Sequence, residues 1–400
     1  MSQVFLGLNS IIAKVTVKIS SACLYSLRIP FKNPFTHSLS RRLYSDSIVL
    51  KLTSDCGTVG FGEAVPREYV TGESVSSCLK HIQNYLLPAL RLKELPESGA
   101  LRNGLLEEIS NIIPDAEIAG IIALNASRTV VELALIDCIL KQEGKSLNCI
   151  LEPISKSVTY SAVISAESVE TVRKTAAYCR KIGMRSVKIK AGSGDDYARI
   201  SSVREILGDD VSLRIDANGA FDIAGALDLI SRIHHLRIDS IEQPIPRGNA
   251  KELARVRENS PIPVMVDESL ITIKDAIDLI ENKSCDLFNL RISKNGGIFH
   301  TLHLADIAGE AGIGVQLGCQ VGEMAILSAA GRHLAAHLPS LRFIEGSYGD
   351  FLLAEDISEE PVNFGFAGNA PLLHGKGLGI KVRDDILEKY AVETIPIRLE

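Results

Sequence analysis

Between residues 185 and 292 the chain repeats one pattern, a short apolar run closing on a charged residue, at intervals of about 25 positions. The runs read SVKIK, SLRID, IDSIEQP, IPVMVDES and LFNLRIS, and they carry Lys188 with Lys190, then Asp216, Glu242, Asp267 and Arg291. Counted from Lys190, the gaps are 26, 26, 25 and 24 residues. That interval is one strand plus one helix with their turns. Polar residues at the carboxyl ends of successive parallel strands are how a βα-barrel gathers a site from residues far apart in sequence.

The same alternation extends in both directions. Eight strand candidates can be placed, at 158–165, 185–190, 211–216, 238–242, 262–267, 286–292, 313–318 and 341–346. Eight is the number that closes this barrel. The expected fold is therefore α/β, a (β/α)8 TIM barrel over residues 150–356. A barrel of about 250 residues leaves room in a 400-residue chain for a second unit. Residues 1–140 read as that unit, an α+β domain, with strand patterning to about residue 63 and helical patterning from Ser74. The remainder, 357–400, carries strand-like pieces and is expected to pack back on the first unit.

Composition narrows the function. Apolar residues make up 46% and charged residues 23%, which suits a soluble protein with large cores. The net charge of -6, with both signs scattered, offers no basic stripe for nucleic acid and no polybasic membrane anchor. A small-molecule ligand is expected instead. The eight cysteines include no CxxC pair and read as reduced thiols. The first residues lack a basic stretch and a small-residue cleavage site, so a cytoplasmic location is expected.

Asp216, Glu242 and Asp267, on three consecutive strand ends, should converge and repel one another. Hard oxygen ligands without His or Cys favour Mg²⁺, with Mn²⁺ as a substitute. Lys188 and Lys190 are two apart and point the same way from their strand, toward the barrel mouth. Beside a dication a lysine can lose its proton and serve as a base at neutral pH. Two N-terminal loops could reach the same mouth, one around Phe35 and His37 and one around Arg67, Tyr69 and Thr71. His300 with His303, and His333 with His337, lie on outer helices and read as structural; the NGG at 295–297 reads as a turn rather than a phosphate loop.

The KIK, RIDANGA, IEQP and VDES stretches, with GEAVPREYVTGES before them and Gly296-Gly297 after the sixth strand, resemble the enolase superfamily. More narrowly they resemble its muconate-lactonizing enzyme subgroup. The resemblance implies a first domain that caps the barrel and Mg²⁺ on Asp216, Glu242 and Asp267. It implies Lys190 as the base that removes a proton α to a carboxylate, Lys188 as its assistant, and an enediolate held by the metal. It also implies a homo-oligomer. Asn218, Glu268, Lys294, Glu323, Glu345, His37 and Tyr69 are the expected substrate contacts.

Two departures from the subgroup bear on the reaction. Where a second lysine is expected at the end of the sixth strand, this chain has Arg291. Arginine keeps its charge and makes a poor base, which tells against two-base racemisation. Where dipeptide epimerases carry Asp-x-Asp, this chain reads FIEGSYGDFLLAED, with Glu345 and Asp350 at another spacing. The leading expectation is a Mg²⁺-dependent lyase or cycloisomerase. The alternatives are an epimerase or racemase of an acyl-amino acid or dipeptide, and a barrel that binds a carboxylate without turning it over.

Overall fold

The structure, a computed structural model, describes residues 17–37, 40–90, 104–114, 116–165, 167–339 and 341–399. Strands β1 (Ile19–His37), β2 (Ser40–Ser54) and β3 (Val59–Ala64) form an antiparallel meander. The fully buried positions of β1 pass from Leu24 to Leu27 and Ile29, while its pairing with β2 runs in unbroken register from Ser21 to Pro30. The helix Asn125–Gln142 lies on this sheet. Gly62 and Gly60 permit the approach: a Cβ at Gly62 would stand 1.9 Å from the Val130 carbonyl oxygen, and one at Gly60 2.3 Å from that of Ala134. The helix is buried from Ala126 to Leu140, because its other side packs on the barrel. There the Thr129 hydroxyl donates to Ile292 O at 3.1 Å and the Asn125 amide to Lys294 O at 2.6 Å.

The barrel strands are β5 (Ala162–Ile164), β6 (Ser186–Lys190), β7 (Ser212–Asp216) and β8 (Ser240–Glu242), then β9 (Val264–Val266), β10 (Leu287–Leu290), β11 (Gly314–Leu317) and β12 (Leu341–Ile344). They form one eight-stranded parallel sheet in chain order, and a bond from Ser161 N–H to Ile344 O, 2.8 Å, joins its two edges. The fold is TIM-barrel-like. One expected strand divides: of 158–165, β4 (Ser157–Thr159) leaves the barrel to pair with β13 (Asn369–Pro371), and only β5 joins the parallel sheet. Tyr160 N–H, bonded to Gly368 O at 2.8 Å, extends that side pairing.

Long helices follow seven of the barrel strands, from Val169–Lys181 after β5 to Ala325–His337 after β11. Directly after β12 comes the four-residue helix Gly349–Leu352 in place of a long one. Its place is filled by an aromatic cluster in which the rings of Phe351 and Tyr348 lie 5.1 and 5.8 Å from that of Phe364. The Tyr348 hydroxyl donates to Ser161 O at 2.6 Å. Finally β14 (Ala391–Arg398) returns to pair with β1, giving the first sheet the order β14-β1-β2-β3. Among the described residues no helix is long and apolar enough to cross a membrane.

Candidate active site

Register places the chemistry. Lys190 pairs with Asp216 across β6 and β7, and Asp216 with Glu242 across β7 and β8, so the three stand abreast at the strand ends. Asp267 follows β9 and Arg291 follows β10. Strands β6 and β10 are four apart in a ring of eight, which sets the two lysines and Arg291 on opposite sides.

The cations and carboxylates interlock. Lys190 Nζ donates to Asp216 Oδ2 at 2.8 Å and Asn218 Oδ1 at 2.6 Å. Lys188 Nζ donates to Glu345 Oε2 at 2.7 Å and Glu242 Oε2 at 3.2 Å, and lies 3.2 Å from Asp216 Oδ2. Arg291 pairs with Asp267, lies 3.7 Å from Glu242 and donates to Gln320 Oε1 at 3.0 Å. Behind them Arg214, fully buried, donates to Glu345 Oε1 at 2.8 Å and stacks on the Phe343 ring at 4.3 Å.

Burial and charge pull these groups in different directions. Burial alone would raise the Asp216 carboxyl, but Lys190 and Lys188 outweigh it and hold Asp216 below the usual carboxylate range. Asp267 is likewise held down, with Arg291 and Lys294 overcoming burial. Glu242 is pushed up by burial and by Asp216 beside it. Glu268 is pushed up to about 7 by burial, then by Asp267 and Asp216. For Lys188 burial is outweighed by Glu242, Glu345 and Asp216, which hold its ammonium well above the ordinary lysine value.

A cavity of about 290 Å³ opens above this network. Of the expected residues it is lined by Lys188, Lys190, Asn218, Glu268, Arg291, Glu345 and Tyr69. Asp216, Glu242 and Asp267 lie just beneath, each at most 1% exposed. Two expected substrate contacts do not line the cavity. Lys294 is fully buried, and its ammonium is spent on Asp267 O, Asp267 Oδ1 and Asn289 O at 2.8, 3.0 and 2.7 Å. It is a support for Asp267. Glu323 lines a smaller neighbouring pocket, where it accepts from Gln320 N–H at 2.6 Å and burial pushes it up to about 7. Arg67, also expected near substrate, is buried and donates to Pro66 O at 2.8 Å and Val321 O at 2.6 Å. The side chain of His37 lies outside the described residues.

Three partners escaped the sequence reading. Gln243 accepts from Asp267 N–H at 3.0 Å and Ser269 N–H at 3.1 Å, tying the ends of β8 and β9 together at a positive φ of 40°. Asn289 donates to Glu242 Oε1 at 2.6 Å, and Cys319 lines the cavity beside Arg291. Gln243 stood in the IEQP stretch and Asn289 two positions before Arg291 on the same strand face; the pattern was legible, but uncharged side chains drew no notice.

As they stand, no three His, Cys, Asp or Glu side chains among the described residues form a closed ligand set. Each of the three carboxylates is instead paired with cationic side chains. The donor chemistry nevertheless fits a hard divalent ion: three buried carboxylates on adjacent strand ends, with Glu268 Oε2 and Asn289 Oδ1 buried and unpartnered nearby.

Residues 170–386 match the enolase C-terminal domain-like family. Over 389 residues the chain is 30% identical to the N-succinyl-L-Arg/Lys racemase of Bacillus cereus, covering 94% of this chain and 98% of that one. The crystal structure of the racemase of that name superposes with a TM-score of 0.84, over 95% of this chain and 100% of that chain at 28% identity. Muconate cycloisomerase 1 of Rhodococcus opacus is 28% identical over 371 residues, 91% of this chain and 96% of that one. A dipeptide epimerase from Enterococcus faecalis V583, solved with Mg and L-Leu-L-Tyr, superposes with a TM-score of 0.79 at 25% identity, covering 91% of this chain and 99% of that chain. With the strand-end acids and lysines in register, the family match over more than half its length and the near-complete overlap with these relatives, the chain belongs to the enolase superfamily of enzymes.

Proposed function

We propose that the protein removes the proton α to a substrate carboxylate with Lys190 as base and Arg291 as a fixed cation, leading to elimination or cycloisomerisation. The observation that carries this reading is the unequal setting of the two lysines opposite an arginine. Lys188 has three carboxylates within 3.2 Å and Lys190 has one. Lys188 is thus suited to stay charged beside the substrate carboxylate, and Lys190 to give up its proton. Arg291, anchored at both ends of its guanidinium, is suited to steady negative charge and unsuited to accept a proton.

The charge balance of the site can accommodate a metal. Lys188, Lys190, Arg214, Arg291 and Lys294 face Asp216, Glu242, Asp267, Glu268 and Glu345, all buried, so five cations meet five carboxylates. A divalent ion adds two positive charges, which a substrate carboxylate and one neutral lysine offset together. Asp216, Glu242 and Asp267 would hold Mg²⁺, which when bound would neutralise the negative charge that develops on the carboxylate as the α-proton leaves. Asn218, bonded to Lys190 and at 3.2 Å to Glu268, would orient the base. The N-terminal sheet and its helices would cap the mouth, with Tyr69 reaching the cavity.

A second reading, epimerisation or racemisation of an acyl-amino acid or dipeptide, is favoured by the names of the relatives. It needs a proton-transfer group on the side of Arg291, and Lys294 is fully engaged. Proton NMR in D₂O with Mg²⁺, against acyl-amino acids, dipeptides, hydroxy acids and unsaturated acids, separates the two. Under the one-base reading, recovered substrate gains α-deuterium while product forms by loss of a β-substituent or by ring opening or closure, and Lys190→Ala abolishes both. Interconversion of both enantiomers would establish the epimerase instead.

A further inference from the structure

The cavity continues past its charged end. From Lys190 and Arg291 it runs outward between the helix Val169–Lys181 and the segment that follows β12. One wall is Thr175, Tyr178, Cys179 and Ile182, at the i, i+3, i+4, i+7 spacing of one helical face. In a barrel such a face ordinarily packs on the neighbouring outer helix. Here the neighbour is only four residues long, and Phe351 and Phe364 form the opposite wall. Tyr178 is 60% exposed and Phe351 48%, so the cleft opens between two aromatic rings. Every charged residue lining the cavity, namely Lys188, Lys190, Glu268, Arg291 and Glu345, belongs to its inner end; the outer part has none.

We infer that the substrate is an amphiphilic carboxylate whose apolar acyl or arylalkyl arm lies in this outer cleft. The continuity of the cavity commits the occupant: for a molecule with its carboxylate beside Lys188 and its α-carbon at Lys190, the described residues leave one apolar exit, and the cleft follows it. The volume of about 290 Å³ sits at the small end of ligand pockets, enough for a single medium-length arm. The inference rests on the proposed binding of a carboxylate at the charged end.

Isothermal titration calorimetry of the Mg²⁺-loaded protein with acetate, butanoate, hexanoate, octanoate and 4-phenylbutanoate tests it. Affinity should rise roughly fourfold per added methylene beyond butanoate. Phe351→Lys, at a half-exposed site, and Thr175→Trp, which fills the cleft, should each flatten that rise and leave butanoate within about twofold of its original affinity. Equal affinity along the series, a rise that both variants preserve, or no binding by any acid would overturn the inference. Length-dependent binding without α-deuterium exchange on any substrate would keep it and sink the proton-abstraction reading. Exchange on short acids with a flat affinity series would do the reverse.

Discussion

At position 291 a guanidinium joins Asp267, Glu242 and Gln320 around the side of the mouth that faces Lys190. A lysine there could not hold two partners in one plane, but it could lose its proton. Arg291→Lys is therefore expected to slow the native reaction by about tenfold or more, through loss of the planar fork. It should also open exchange on the second face of the α-carbon. Chiral chromatography of product and recovered substrate from D₂O checks this; a variant that stays single-faced would show that Arg291 does not set the stereochemistry. Lys294 shows how far residue type alone can mislead. Its identity invited a role at the substrate, yet one turn after Arg291 it points beneath Asp267.

Among the elements, the helix Asn125–Gln142 joins the two sheets by a buried acid. Glu132 accepts from Ile298 N–H at 2.5 Å and Phe299 N–H at 3.1 Å, capping the helix Ile298–Glu310. A Cβ at Gly297, where φ is 105°, would stand 2.0 Å from Glu132 Oε2, so the Gly-Gly turn admits this carboxylate and leaves no room there for a phosphate. Burial pushes Glu132 up to about 7. A carboxyl raised on folding contributes stability that is complete below its unfolded value, near 4.5, and is lost as pH rises through about 7. Glu132→Gln should remove that part of the pH dependence, on the order of 3 kcal/mol between pH 4.5 and 8. Urea unfolding across that range reads it out, and an unchanged slope would rule it out.

The eight barrel strands were legible because each is an apolar run between helices of regular period, and the strand-end acids because charge at the end of such a run is conspicuous. Less legible were features set by contacts between distant segments. The stretch 75–90 reads as one helix, but its residues Ile82–Leu86 widen into a π-turn just before Pro88, which lacks an N–H and crowds the turn before it. The short helix after β12 and the departure of β4 to β13 likewise depend on partners more than 180 residues away, as in Tyr348 to Ser161 and Ala370 to Val158. Alternation and turn residues report local geometry and carry no signal for such pairings.

For the molecule as a whole, metal binding should appear as stability. If Asp216, Glu242 and Asp267 hold Mg²⁺ in the folded state only, Mg²⁺ at one hundred times its dissociation constant adds about 2.7 kcal/mol and raises Tm by a few degrees, reversibly with EDTA. Asp267→Asn should reduce that increment sharply. Differential scanning calorimetry measures both, and a Tm indifferent to Mg²⁺ would remove the metal from these residues. The barrel and the first sheet are also joined by order of synthesis. Strand β14, eight residues long, follows the whole barrel in the chain yet pairs with β1, with Leu399 N–H bonded to Ser20 O at 3.0 Å. On the ribosome the barrel strands emerge while β1 still waits for its neighbour. The four-stranded sheet is therefore completed only after the barrel has left the exit tunnel, so a nascent chain carries an open sheet edge until β14 emerges.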